Sequence, residues 1–512
     1  HLPELSSESS DIWNRVFEMH NTSIRPVVLA VTILGFYSIA WAEDVIKPPA
    51  EFEIHAPNLD LVIDHARIEI VVNDDETPRI RVSPITIQNG QTNRELTAST
   101  VGGSVILRGM VETGNPVPRA IVWATITSSQ TVRIEGRSLE LTVVREPEDE
   151  VVQDGPTQAT DDVEPPAADQ DDEAGANASV TAIVDDSETR IEGVSDLWIQ
   201  ARGGSSNIVG TRGDLTIELK TGFARLTRHQ GELNLDATDS EVTIDQAAGV
   251  VAAKIHGGSL SVLESLADLN AEVTEAFIGV RSAPSRTQLT GSDSTIQVSA
   301  GARDGLRVTG SRLDVSIDDV ENGISAILSG GSLSARSIEG HCTLDLRDGV
   351  DAVISDLRGD VRLSGKQGAT IELHRVTGHS NINLDDAELE FGDLGSLILR
   401  TNDASVTGFG VRNITGLVAH NTSLNLTLPD LVGRTELKLS GATQADLQLS
   451  TPCQIKAELG DGIIGDRVRV SGCLLDFDGA QKRQPRRGID GRPPIRVTVA
   501  LEDSSTLVVN AY

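Results

Sequence analysis

Six stretches decide the fold: IHGGSLSV (255–262), VTGSRLDV (308–315), LSGGSLSA (328–335), LDDAELEF (384–391), TNDASVTG (401–408) and HNTSLNL (420–426). Each has an apolar or small lead-in, a corner of Gly, Ser, Asp, Asn or Ala, and an alternating strand leaving the corner. Corners recur every 18–20 residues and strands every nine or ten, as at Leu233, Val242, Leu260 and Leu269 and later at Leu437, Leu447 and Ile455. A fixed period near 20 with short strands is the signature of a solenoid. Stacked coils bring equivalent residues to within ~4.8 Å of one another. Interior columns then want similar aliphatics, and corners want residues that tolerate positive φ or bond their own backbone. A β-sandwich would also show many strands, but with less regular corners. The expectation for 190–512 is therefore an all-β parallel β-helix, a β-solenoid with coils of 18–20 residues.

Outward from the repeats, 146–189 reads as a linker. It holds 15 acidic residues between Glu146 and Glu188 and no Lys or Arg. Proline, like charges and few large apolar residues leave little to offset the entropy of ordering, so a disordered, self-repelling segment is expected. It lacks the spaced D-x-D-x-D-G pattern that wraps calcium. Before it, 43–145 reads as a small β region, with alternating stretches such as LDLVI (59–63), RIEIVV (67–72), TVRIEG (131–136) and LELTVV (139–144). Further upstream, Arg25 precedes the apolar run VVLAVTILGFYSIA (27–40), and Ala40 and Ala42 supply an A-x-A cleavage pattern. That is a secretory signal, with cleavage expected after Ala42 and residues 1–18 read as upstream sequence. The run is short for a bilayer span, which takes ~20 residues. No second such run follows, so no span is expected in the mature chain. No β-barrel anchor is evident in the sequence, and no cysteine follows the signal to carry a lipid.

Composition narrows the class. Aromatics are 3% of 512 residues and Met numbers 2, so the core must be narrow and filled by small and β-branched aliphatics. Three cysteines exclude a disulfide scaffold. Cys453 and Cys473 are one coil apart, which in a solenoid places them in neighbouring rungs; they form either a disulfide or a stacked reduced pair. Cys342 has no partner at that spacing. A net charge of −33 argues against nucleic acid as a partner, because phosphates need a basic surface. Lys482, Arg483, Arg486, Arg487, Arg492 and Arg496 stand out in so acidic a chain, as a docking patch for anions or as a solvated loop.

The steps GDLTIEL (213–219), GELNLD (231–236), GDVRLSG (359–365) and GLVAHNTSLNL (416–426) follow a G-x-h-x-h pattern, h being apolar. In this the chain resembles bacterial adhesin-type β-solenoid domains of unknown function, including the head domain of autotransporter adhesins. PIRVTVALEDSSTLVV (494–509) resembles their closing coil. The resemblance covers roughly 190–510 and, more weakly, 47–145; the acidic insert departs from it. It implies an exported, non-catalytic structural or adhesive protein.

No catalytic signature stands against that. There is no G-x-S-x-G elbow, H-E-x-x-H or C-x-x-C, and no metal or other cofactor is expected. His374 and His379 are the closest histidine pair of the repeats and read as surface or corner residues. Asp314, Asp318 and Asp319, or Asp385 and Asp386, would be the carboxylates of a polysaccharide-acting β-helix enzyme. Trp198 is the only tryptophan of the repeats, which leaves few platforms for sugars. Three readings remain. One is a surface or extracellular binding solenoid whose partner is a cell-surface polymer. Another is a periplasmic scaffold for an envelope protein, and the last is a lyase or hydrolase. The oligomeric state is left open.

Overall fold

The computed structural model describes residues 50–53, 58–63, 66–73, 76–82, 97–101, 104–109, 120–127, 129–145, 178–282, 286–429, 431–432, 434–450, 453–459, 468–471, 474–477 and 495–511. These contain strands and no helix, and parallel coils stack for about 15 turns with a spacing near 18 residues. The fold is the β-solenoid the corners demand. At ~4.8 Å per rung such a stack is ~70 Å long.

A coil is two strands and two corners. Leu215–Lys220 lies on one sheet, here face A, and Phe223–Thr227 on the opposite sheet, face B. Leu197 pairs with Leu215 and Leu215 with Leu233, while Ala224 pairs with Val242 and Val242 with Leu260, so both registers advance by 18. Alternation sends Leu215, Ile217 and Leu219 of face A inward to meet Ala224 and Leu226 of face B. Each buried aliphatic contributes roughly 1.5–3 kcal/mol, and a coil supplies about five. One coil is too thin a core to stand alone, so stability comes from stacking. Volumes are matched between rungs. Phe391, 2% exposed, points at Gly408 of the next coil, where a Cβ would come within 2.0 Å of the ring.

The corners stack as two columns of left-handed backbone. Asp186, Gly203, Thr221, Asp239, Gly257 and Glu275 all have positive φ on one edge, as do Gly193, Gly210, Arg228, Gln246, Glu264 and Ser282 on the other. Their N–H groups donate to the coil above, as in Asp186 N to Arg202 O at 2.7 Å and Thr221 N to Thr238 O at 3.0 Å. Ser187, Ser240 and Ser294 follow the positive-φ corners Asp186, Asp239 and Asp293 and are buried. Each hydroxyl accepts from a backbone N–H of the coil below, those of Leu139, Gly222 and Ala276, and donates to a carbonyl two residues back. Buried backbone groups at the corner are thereby satisfied. Gly231 and Gly359, which open two of the G-x-h-x-h steps, have a steric cause. At Gly231 a Cβ would lie 2.1 Å from the Gly213 carbonyl oxygen.

Coil order departs from chain order at both ends. The strands Asn58–Ile63 and Ala66–Val72 lie between the coil 104–126 and the coil 131–145. Likewise Ile495–Leu501 and Thr506–Ala511 lie between the coil 434–449 and the coil 453–471. Antiparallel strands edge the first end, Thr97–Val101 on Ser104–Gly109 and Arg79–Val82 on Ala120–Ile126.

The acidic stretch interrupts the chain but not the ladder. Ser179–Asp185 pairs in parallel with Thr131–Arg137, and Glu188–Glu192 with Glu140–Arg145. Residues 131–145 of the small β region and the repeats beyond 178 are thus consecutive rungs. Within 178–189, read from composition as the end of the linker, Ser179–Asp185 forms a strand, Asp186 turns the corner and Glu188 begins the next strand. Val180, Ala182 and Val184 alternate inward there, and that burial outweighs the acidic flanks. The rest of the linker, 146–177, lies outside the described residues.

Candidate functional site

A groove of about 570 Å³ lies on face A, crossing five coils between Thr216 and Thr290. The central inward column of face A runs Ile217, Leu235, Ala253, Ala271, Leu289. Two successive alanines, both buried, give this column less side-chain volume than Ile217, Leu235 and Leu289 on either side of them.

Two outward columns line the groove. One is Thr216, Asn234, Ala252, Asn270 and Gln288; the other is Glu218, Asp236, Lys254, Glu272 and Thr290. Ala252 in the middle of the first column deepens the floor. Gln200 Nε2 donates to Glu218 Oε2 at 3.0 Å, which orients that carboxylate at one end. Trp198, half-buried, stands one rung before Thr216 in the first column. Three carboxylates and one ammonium leave the lining net negative.

The carboxylates singled out from sequence are placed elsewhere and kept apart. Asp314 is on face B and accepts from Ser332 Oγ at 2.9 Å. Asp318 takes both guanidinium bonds of Arg336, at 3.2 and 3.1 Å. Asp319 and Asp386 are corner residues with φ of 59° and 53°. Asp385 accepts from Asn402 at 2.8 Å. Asp314 and Asp385 are four coils apart, on opposite faces.

The edges carry ion-pair ladders. Arg312 meets Asp293, its Nη2 at 2.6 Å from Oδ2, and Arg375 meets Asp356, its Nη2 at 2.7 Å from Oδ2. Arg358 Nη1 donates to Glu339 Oε1 at 2.9 Å. The arginines hold the Asp293 and Asp356 carboxyls below the usual carboxylate range. Such exposed pairs position corners rather than ligands. His374 and His379 are not brought together. His374 is on face B beside Glu372, whereas His379 lies near Asp360, which His341 flanks from the other side at 3.8 Å. The His379 backbone N–H, donating at 2.8 Å, lowers the Asp360 carboxyl. Spacing of 19 residues along 341, 360 and 379 was the available signal for this column. Among the described residues no cluster of His, Cys, Asp and Glu could hold a metal ion.

Of the remaining sequence candidates, Ala40, Ala42, Lys482, Arg483, Arg486, Arg487 and Arg492 lie outside the described residues; Arg496 is an exposed residue of Ile495–Leu501. Cys473 also lies outside them. Cys453 begins a strand whose backbone pairs with Ile495, and Gln454 pairs with Leu474, a step of 20 residues. Cys342 is free and buried, and burial pushes its thiol up to about 12. No helix of the described residues is long and apolar enough to cross a membrane. Sequence reasoning missed the groove itself. Its signal was present as residues 18 apart, Glu218, Asp236, Lys254 and Glu272, above a small-residue core column. No family model, curated protein or solved structure matches the chain.

Proposed function

We propose that this protein is an exported cell-envelope or cell-surface solenoid that acts by binding, holding a polymer or an envelope partner along its long face without catalysis. The observation that carries the reading is the groove on face A, which extends across five coils and suits an elongated partner. The G-x-h-x-h steps shared with adhesin-type domains favour the same reading, and the A-x-A pattern at Ala40 and Ala42 favours export. Fractionation into periplasm, outer membrane and medium, with N-terminal sequencing, tests it. The exported chain should begin at Glu43 and should co-sediment with envelope polysaccharide. A cytoplasmic protein retaining residues 1–42 would sink the export reading.

A second reading, a lyase or hydrolase, is favoured by Glu218, Asp236 and Glu272 in the same groove, because two suitably separated carboxylates suffice for glycoside chemistry. Release of reducing ends from a retained polysaccharide, abolished in Asp236→Asn, would establish it over the binding role.

A further inference from the structure

The chemistry of the groove narrows its ligand class. Its long axis follows the stack, because each lining column is built from equivalent residues of successive coils. Successive rungs are ~4.8 Å apart, close to the advance of one pyranose unit in an extended β-1,4-linked chain. A ligand with nearly that repeat sets one ring over each rung, whereas a peptide strand laid axially, advancing ~3.3 Å per residue, does not keep register with it.

The side chains suit hydroxyl groups. Asn234, Asn270 and Gln288 present amides that both donate and accept. Glu218, Asp236 and Glu272 accept from hydroxyls, and Lys254 donates. Between Asn234 and Asn270, Ala252 offers a methyl group where the apolar face of a ring can rest. The net negative lining repels a polyanion. Trp198, half-buried, occupies the next rung of the same column, beside Thr216.

We infer that the groove binds a neutral, linear, β-linked glycan laid parallel to the solenoid axis, with Trp198 stacking against a sugar ring at one end. This rests on the proposed binding role and adds to it the ligand class, its direction and its contacts. Asn234, Asn270 and Gln288 set the register of the chain. Ala252 sets the depth to which it sinks.

Calorimetry with the full chain tests the assignment, using β-1,4-linked hexasaccharides of glucose and of N-acetylglucosamine, with polygalacturonate as the anionic comparison. At least one neutral hexasaccharide should bind, and which one does identifies the acetamido requirement. Ala252→Phe, which fills the floor from the outer side, should raise Kd at least tenfold. Trp198→Ala and Asn270→Ala, both outward substitutions, should each weaken binding several-fold with unchanged melting temperature. Ser261→Phe on face B should leave Kd within twofold. Preference for polygalacturonate, or unchanged affinity in both Ala252→Phe and Asn270→Ala, overturns the assignment. If the wild type still retains envelope polymer in that second case, the groove is wrong and the binding role stands. If it retains no polymer of any charge, both fall.

Discussion

From Leu197–Arg202 to Ser423–Leu428 each coil rests on the coil before it in the chain, with registers advancing by 17–19 residues. At the two ends the order is different. Leu59 lies opposite Val105 on one side and Val132 on the other, and Val499 lies opposite Leu437 and Ala457. The central coils make local contacts that need only short loops. The inserted coils must close much longer ones, at greater entropic cost, and are expected to form late. An inserted coil also satisfies two sheet edges at once, so its loss exposes both neighbours. Two kinds of stability therefore coexist in one ladder, a nearest-neighbour sum in the middle and an interlock at the ends.

The sharpest way to break this contrast is to delete 495–511. Hydrogen exchange should then show loss of protection through 434–477 while 197–402 keeps its own, because coils couple chiefly to neighbours. Collapse of the whole array would show that the interlock governs the middle as well. Next in size is a substitution inside the regular region. Leu384 is 1% exposed, and its neighbour Asp385 faces solvent just before the corner at Asp386. Leu384→Asp buries an unpartnered charge and should cost several kcal/mol, on the order of 3–5. Asp385→Asn should cost under ~0.5 kcal/mol. Equal shifts in a denaturant titration would mean that the inward register is misplaced.

Smaller again is the volume match between rungs. Gly408→Val should destabilise by about 1–3 kcal/mol, since its Cβ enters the Phe391 ring. Combined with Phe391→Ala the penalty should shrink, and strict additivity of the two changes would remove the steric explanation.

The smallest effect is a pH dependence confined to one corner. His229 is buried, with Nδ1 2.9 Å from Thr211 Oγ1, and burial lowers its pKa from 6.5. The unfolded chain then takes up a proton before the folded one. The contribution is full above pH 6.5 and declines as pH falls from there through the folded value. Melting temperatures of His229→Gln should fall less steeply than wild type in that window. The depressed carboxyls of Asp293, Asp345, Asp356 and Asp360 act separately, their stabilisation being present above about 3.8 and lost at lower pH. A variant curve parallel to wild type below 6.5 would place the titration elsewhere.

Much of the ladder was legible in the sequence because its determinants are local. Alternation assigned Leu384 to the interior, and residues such as Asp386 and Asp403 marked corners because they tolerate the left-handed backbone found there. The 18-residue repeat of Leu215, Leu233 and Leu269 with Val251 declared the stacking. Tertiary structure alone decided which distant segments fill a gap. Any alternating aliphatic strand satisfies the pairing needs of any other, so nothing in LDLVI (59–63) names Val105 and Val132 as its neighbours. It also decided that 131–145 and 179–192 are adjacent rungs, because pairing depends on the exposed edge and not on the chain between. The groove belongs to the same class. Asn234 and Asn270 are unremarkable polar residues in their own strands, and they become a surface only when coils stack over the small column of Ala253 and Ala271.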